Sequence, residues 1–375
     1  MAPKIPFNRP YLSGRELAYA AEAFSLGHTA GNGVFTKRCH GFFADAYGMK
    51  NCLLTQSCTA ALEMSALLVN IKPGDEVIMP SFTFVSTANA FVLRGAKIRF
   101  ADSSAGHPNL DVSALEALVT KRTKAIVPVH YGGVACEMDE ILVLAKSHGI
   151  HVIEDAAQAV DAFYRSRPLG TLGDLGTLSF HETKNIISGE GGMLVVNDPT
   201  LRDRAGIIWE KGTNRNAFFR GEVAKYEWVD VGSSYLPSEL TASFLCAQLE
   251  NLPAIQSRRS AHWNHYIQRL GELAGVVQLP AIPPYATHNS HIFYLVCRSL
   301  DERIALLRQL RDNNIEAVFH YQSLHKSKFF QGCHDERALP EADRYSDCLL
   351  RLPLYVDLTP EDVDRVCDVI TAFYR

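Results

Sequence analysis

The sequence predicts an α/β fold whose larger part is a mostly parallel sheet covered by helices, and three observations carry that prediction. Short apolar runs bounded by turn residues recur between residues 51 and 197. Stretches of helical period separate them, as at residues 140–145. The 375 residues are 47% hydrophobic and 21% charged, enough to bury a large core and to divide into two units. Strands that alternate with helices are joined by crossovers, which makes neighbours parallel and covers the sheet with helices.

The elements follow in order. Residues 5–10 are held extended by Pro6 and Pro10, and Ser13 with Glu16 forms a capping box for a helix to about Ser25. Residues 27–33, with glycines at 27, 31 and 33, read as a mobile loop. Residues 51–54 are the first central strand, and 55–63 a polar turn feeding a helix. Strands at 76–79, 97–100, 125–129, 151–154, 176–180 and 192–197 bring the count to about seven. A helical pattern then runs from Ser238 to Arg258, interrupted by Pro253. Strands at 291–296 and 317–320, with helices at 300–313 and 359–374, form a smaller α+β unit. The division falls at 1–250, a large domain, and 251–375, a small one.

Lys184 is placed on the loop between two buried strands, among Ser, His, Thr and Asn and ahead of Gly189, Gly191 and Gly192. Burial disfavours an ammonium and frees the neutral amine that a Schiff base needs. The alternative is a surface hairpin whose lysine points at water. Asp155, 29 residues earlier, ends a strand, and in an α/β sheet the carboxyl ends of strands face the ligand crevice. A carboxylate there keeps a pyridine nitrogen protonated, so that the ring withdraws electrons from a carbanion. Gln158 lies about one helical turn further on. Ser57 and Thr59, at a helix N-terminus, suit a phosphate, although an ordinary N-cap would look the same.

E-D-A-A-Q at 154–158, S-F-H-x-x-K-N at 179–185, G-E-G-G at 189–192, P-S-x-T-F-V-S-T-A-N-A from Pro80 and H-Y-x-x-L-H from His320 occur in one order. With them the chain, from about Ile5 to its end, resembles the sugar aminotransferases of the DegT/DnrJ/EryC1/StrS type. The likeness is greatest to members that make dTDP-4-amino-4,6-dideoxygalactose. The resemblance implies a fold-type I, aspartate aminotransferase-like transferase that uses pyridoxal 5′-phosphate (PLP), cycling through pyridoxamine 5′-phosphate. It implies that Lys184 holds PLP, that Asp155 and Gln158 face the ring, and that Phe84 stacks on it, although a core phenylalanine is the commoner fate. The phosphate falls to Ser57, Cys58, Thr59 and Ser179.

Further implications concern partners. The segment 232–240 corresponds to one that many members write G-x-N-x-R-M-S-E-L, whose asparagine reaches the coenzyme of a partner subunit. Here that position is Ser234, which can still donate, and the arginine is Leu236. A homodimer with shared active sites is implied, and loop 27–33 would help to enclose the site. Lys211, Arg215 and Arg220 are candidates for the diphosphate of a nucleotide sugar, against a solvated loop. His181, His320, Tyr321 and His325 are candidates for the sugar side.

The implied reaction moves an amino group from L-glutamate to a nucleotide-linked 4-keto-6-deoxyhexose, dTDP-4-keto-6-deoxy-D-glucose first among them. Carbon-3 enzymes commonly show S-F-x-P-x-K-N with G-D-A-G, which this chain lacks. Related dehydratases carry histidine at the position of Lys184. A PLP-binding regulator would call for a DNA-binding segment or a basic face, and none is visible. A net charge of −4 gives no footprint for nucleic acid. Nine scattered cysteines without a C-x-x-C pair imply reduced thiols, with neither a disulfide framework nor zinc. No metal is expected, because alternation sets Glu154 on the opposite face from His151 and Asp155, and His130 merely follows a strand. The glycines at 170, 173 and 176 are not a dinucleotide fingerprint. The opening residues 1–6 lack the apolar core of a signal peptide, and no run reaches about 18 apolar residues. A soluble cytoplasmic protein without a membrane partner is expected.

Overall fold

The computed structural model describes residues 3–375, so Met1 and Ala2, which open the stretch read as lacking a leader, lie outside it. Strands β1 (Cys52–Thr55), β2 (Glu76–Pro80), β3 (Lys97–Ala101), β4 (Thr123–Ile126) and β5 (His151–Asp155) come first. A small hairpin, β6 (Phe163–Tyr164) and β7 (Arg167–Pro168), precedes β8 (Leu175–Ser179) and β9 (Gly192–Val196). The central sheet has seven strands in the order β1-β9-β8-β5-β4-β2-β3. Pairing is parallel from β8 across to β3, and β9 alone runs against its neighbours β1 and β8. The reversal is local: β8 and β9 are joined by a loop without a crossover helix, and such a connection pairs strands antiparallel. That loop carries Lys184 out of the sheet edge at which β5 and β8 also end.

Helices cover both faces. Cys58–Leu68 and Val85–Val92 pack on one, while Val34–Tyr47, Met138–His148 and Glu239–Glu250 pack on the other. Alternation divides β2 between them, with Val77 and Met79 in one apolar cluster and Ile78 in the other. A second sheet, in the order β10 (Phe293–Val296), β12 (Leu349–Leu352), β11 (Val318–Phe319), is antiparallel and joins the first of those clusters through Phe293 and Leu350. Ile153 faces that shared core and Val152 faces away from it, so Asp155 follows Ile153 toward the second sheet and Glu154 follows Val152.

Three expectations need correction. The fourth strand ends at Ile126, because Pro128 has no N–H for the ladder, and Val129 keeps only a single bridge, to Asp155. The capping box is half made: the Glu16 carboxylate accepts from the Ser13 and Gly14 N–H groups at 2.7 and 2.9 Å, but the Ser13 hydroxyl turns to the Ala247 carbonyl. Pro253 does not interrupt a helix. It lies in the first turn of a new one, Leu252–Leu270, after Glu239–Glu250 has ended. Among the described residues no helix is long and apolar enough to cross a membrane.

Candidate active site

Between the carboxyl ends of β5 and β8 and the second sheet lies a cavity of about 530 Å³. Lys184 and Asp155 both line it. Asp155 is 5% exposed; its Oδ2 accepts from the Thr87 hydroxyl at 2.7 Å and its Oδ1 from the Ala157 N–H at 3.2 Å. Burial pushes the Asp155 pKa up from 3.8, against those two hydrogen bonds and the nearby Lys184 charge, which pull it down. Burial likewise pushes the Lys184 amine down from 10.5, against the pull of Cys58 and Asp155, and the positive charge of Arg351 acts in the same direction as burial. A lysine so placed supplies a free lone pair far more readily than one in water.

One wall is a set of donors. Ser57 caps the helix Cys58–Leu68 by accepting from the Ala60 N–H at 3.1 Å, which leaves its own proton free. Thr59 donates to Ser86 Oγ at 2.8 Å, and the His181 N–H donates to Ser179 Oγ at 3.4 Å, so the hydroxyl protons of Ser86 and Ser179 are also uncommitted. Three hydroxyls and a helix N-terminus facing one cavity fit a phosphate dianion. Gly192 lets β9 approach this turn: a Cβ there would lie 2.3 Å from the Cys58 nitrogen. The G-E-G-G run thus has a steric cause at its last residue. The residues present fit PLP: Ser57–Thr59 and Ser179 would hold its phosphate, Asp155 would face its ring nitrogen and Lys184 would meet its aldehyde.

The opposite wall comes from several elements. Gln158 Oε1 accepts from the Gly132 N–H at 2.6 Å, which orients its amide to donate to Tyr321 Oη at 2.9 Å and leaves the tyrosine proton free. His320 Nδ1 lies 2.9 Å from the Tyr131 hydroxyl, and burial holds His320 neutral by lowering its pKa well below 6.5. Asn185 donates its amide to Gln256 and to the Asn289 carbonyl, so its Oδ1 accepts from His291 Nδ1 at 2.9 Å; burial keeps His291 neutral too. Phe84 lines the cavity with its ring 6.0 Å from Tyr321 and 55% of its surface exposed.

Of the residues singled out from the sequence, Ser57, Cys58, Thr59, Phe84, Asp155, Gln158, Ser179, His181, Lys184, His320 and Tyr321 meet around this cavity. Others do not. His325 turns away, its Nδ1 against Ser81 Oγ at 2.7 Å and its Nε2 3.5 Å from Asp343. Lys211 pairs with Glu210, Arg220 with Glu222, and Arg215 covers the Phe219 ring, all outside the lining. Ser234 is exposed and also outside it, as is loop 27–33, whose Gly31 packs on Leu236 and Pro237. Sequence reasoning passed over Thr87, Ser86, His291 and Arg351. Thr87 and Ser86 stand in the first turn of the helix Val85–Val92, within a motif already noted, whereas nothing around Arg351 marks it.

A model of the DegT/DnrJ/EryC1/StrS aminotransferase family matches residues 11–371. The spore coat polysaccharide biosynthesis protein SpsC of Bacillus subtilis (strain 168) is 34% identical over 378 residues, covering 98% of this chain and 96% of its own. The aminotransferase TlmJ from Streptoalloteichus hindustanus superposes with a TM-score of 0.90 at 31% identity, over 99% of this chain and 98% of its own. Spr1654 from Streptococcus pneumoniae, solved in its PLP form, gives a TM-score of 0.90 over 99% of this chain and 98% of its own; at 23% identity it adds the fold.

Proposed function

The chain belongs to the DegT/DnrJ/EryC1/StrS aminotransferase family and is a PLP-dependent sugar aminotransferase, and from that premise we propose that its acceptor is a nucleotide-linked 4-keto-6-deoxyhexose and its donor L-glutamate. The observation that carries the chemistry is Lys184 and Asp155 on one buried cavity, with hydroxyl donors at its end. Amination at carbon 4, with dTDP-4-keto-6-deoxy-D-glucose as the first substrate, rests on the S-F-H-x-x-K-N and G-E-G-G pattern.

When bound, PLP supplies an electron sink for the bond being broken at the reacting carbon. The chain supplies the rest. Lys184 Nζ, depressed by burial, takes the proton from the donor's α carbon and returns it elsewhere. Asp155 favours a protonated partner at its carboxylate, and Thr87 fixes the oxygen that faces it. Ser57, Ser86 and Ser179 anchor the phosphate, and Tyr321, itself held by Gln158, has a proton to give to an oxygen of the substrate.

The same proposal includes a homodimer. Ser234 lies outside its own cavity, as a residue that serves a partner's would. Close in sequence, Phe219, Tyr226, Trp228 and Val229 are exposed by 69, 54, 82 and 49%, an apolar stretch that a second copy would cover. Mass spectrometry and NMR of the product from dTDP-4-keto-6-deoxy-D-glucose, PLP and L-glutamate test the substrate. A dTDP-4-amino-4,6-dideoxyhexose with 2-oxoglutarate is expected. A clear preference for a 3-keto sugar in competition would overturn carbon 4, and a fully active monomer by light scattering would overturn the dimer.

A further inference from the structure

A small recess adjoins the main cavity and shares Gln158, Ser179, Lys184 and His291 with it; Asn185 and Asn289 also line the recess. About 10 Å³ of it is open to the centre of a water molecule. Both asparagines spend their amides within the protein. Asn289 gives Nδ2 to the Gln158 and Val160 carbonyls, each at 2.8 Å, and its Oδ1 accepts from the His291 N–H at 3.1 Å. Asn185 gives Nδ2 to the Asn289 carbonyl at 2.7 Å. A carbonyl only accepts, so the orientation of the Asn185 amide is fixed and its Oδ1 is the acceptor toward His291 Nδ1 at 2.9 Å.

The proton of the neutral His291 ring is therefore on Nδ1, and Nε2 carries a bare lone pair. Burial keeps a second proton off the ring, and the positive charges of Lys184, Arg259 and Arg351 act in the same direction. Among the described residues Nε2 has no hydrogen-bond partner, and neither has Lys184 Nζ. The walls of the recess thus leave an uncommitted acceptor, His291, beside an uncommitted donor, Lys184. A polar recess with room for one oxygen suits a buried water, which typically makes about two to four hydrogen bonds.

We propose that this recess binds the water that releases the keto acid, with His291 Nε2 as its acceptor; this rests on the aminotransferase reading above. Release of the keto acid is a hydrolysis. The water oxygen bonds to the carbon that carried the amino nitrogen, the bond from that carbon to nitrogen breaks, and both water protons end on the nitrogen, with no oxidant or reductant. Lys184 Nζ, which borders the same recess, carries the first of those protons across. His291 accepts a hydrogen bond from the other O–H, which turns a lone pair of the water oxygen toward the main cavity. The sugar half-reaction runs the step in reverse and returns a water to the recess.

Two variants separate the lone pair from the fold. Both His291→Phe and His291→Gln give up the Nδ1–H that Asn185 accepts, but only glutamine puts an acceptor oxygen near the place of Nε2. Single turnovers of the PLP-loaded enzyme with L-glutamate in D2O follow two events. Deuterium entering the α position reports removal of the α proton, and 2-oxoglutarate reports the water step. In His291→Phe the release of 2-oxoglutarate slows about 10-fold, the size of one lost hydrogen bond, while deuterium entry stays within about 3-fold of wild type. His291→Gln releases 2-oxoglutarate within about 3-fold of wild type. Crystals of the coenzyme-free protein show an ordered water between residue 291 and Lys184 in wild type and His291→Gln, and none in His291→Phe. Equal losses of deuterium entry and 2-oxoglutarate release, a glutamine variant no better than phenylalanine, or a wild-type recess without water would each overturn the proposal. Melting temperatures verify folding, and if neither variant folds the wild-type crystal decides alone. Wild type that leaves L-glutamate untouched would instead remove the donor on which the proposal rests, and that outcome is visible before any variant is made.

Discussion

On one face of the central sheet the end of β5 carries Glu154; on the other, one residue later, it carries Asp155. Glu154 is fully enclosed and fully satisfied. Its Oε1 accepts from the Leu172 and Gly173 N–H groups at 2.6 and 2.8 Å, and its Oε2 from the Gly170 N–H at 2.8 Å and from His130 Nε2 at 3.0 Å. His130 is fixed as that donor because its Nδ1 accepts from the Cys136 N–H. Asp155 accepts one hydrogen bond on each oxygen and opens on a cavity. The same side-chain chemistry thus closes a loop on one face and waits for a ligand on the other. What separates them is how much of each carboxylate's hydrogen-bonding capacity the chain itself consumes.

The largest effect that would break this comparison is at Lys184, the partner of Asp155 across the cavity. Lys184→Ala should lower turnover on the order of 10⁴-fold or more, as loss of a group central to the chemistry does. A folded variant with near-normal turnover would leave Asp155 without a catalytic neighbour. Asp155→Asn comes next: it should keep PLP bound and reduce turnover about 10²–10³-fold, the scale of a lost electrostatic contact in an active site.

The same substitution sharpens the contrast through pH. The folded pKa of Asp155 is raised, so the folded state binds its proton more tightly than the unfolded state does. Its ionisation therefore removes stability as pH rises from 3.8 through the folded value, and the loss is complete above it. Asp155→Asn escapes that loss. In the coenzyme-free protein, the melting temperature of the variant relative to wild type should rise as pH climbs through that window and level off above it. A difference independent of pH would contradict the burial that raises the pKa.

Glu154→Gln should act on folding instead. Its new amide would face N–H groups that need acceptors, and breaking such a buried cluster costs about 3 kcal/mol, readable as a lower denaturant midpoint. Turnover per folded molecule should stay close to wild type. The smallest effect belongs to Thr87→Val, which strips one hydrogen bond from Asp155 Oδ2. Turnover at neutral pH should fall about 10-fold, since one hydrogen bond to a charged group is worth roughly 1.5 kcal/mol or more.

Glu154 and Asp155 also mark what was legible in the sequence. The apolar run that ends in both is readable, and period-two alternation already sets them on opposite faces. The strands buried on both faces, β2, β8 and β9, are mostly apolar without a period-two alternation and were placed within a residue or two. The fourth strand was drawn too long, because Val127 and Val129 look like strand residues while Pro128 forbids the ladder. Lys184, Asp155 and the Ser57 turn were found because the motifs are local. Arg351 was not, because no motif marks L-L-R-L and no strand was read there, and its surroundings are built by chain segments about 30 to 350 residues away, Val318, Tyr294 and Phe7. His325 failed in the opposite sense: it stands in a motif beside Tyr321, yet Ser81 and Asp343 take both of its nitrogens.

The central claim is that Lys184 is the residue to which the coenzyme is joined in a cavity that Asp155 shares. Borohydride reduction of the PLP-loaded protein, followed by peptide mapping, tests it most directly. A phosphopyridoxyl group on the peptide that contains Lys184, absent from Lys184→Ala and retained in Asp155→Asn, is the predicted result. Label on another lysine, or label that survives Lys184→Ala, would contradict it.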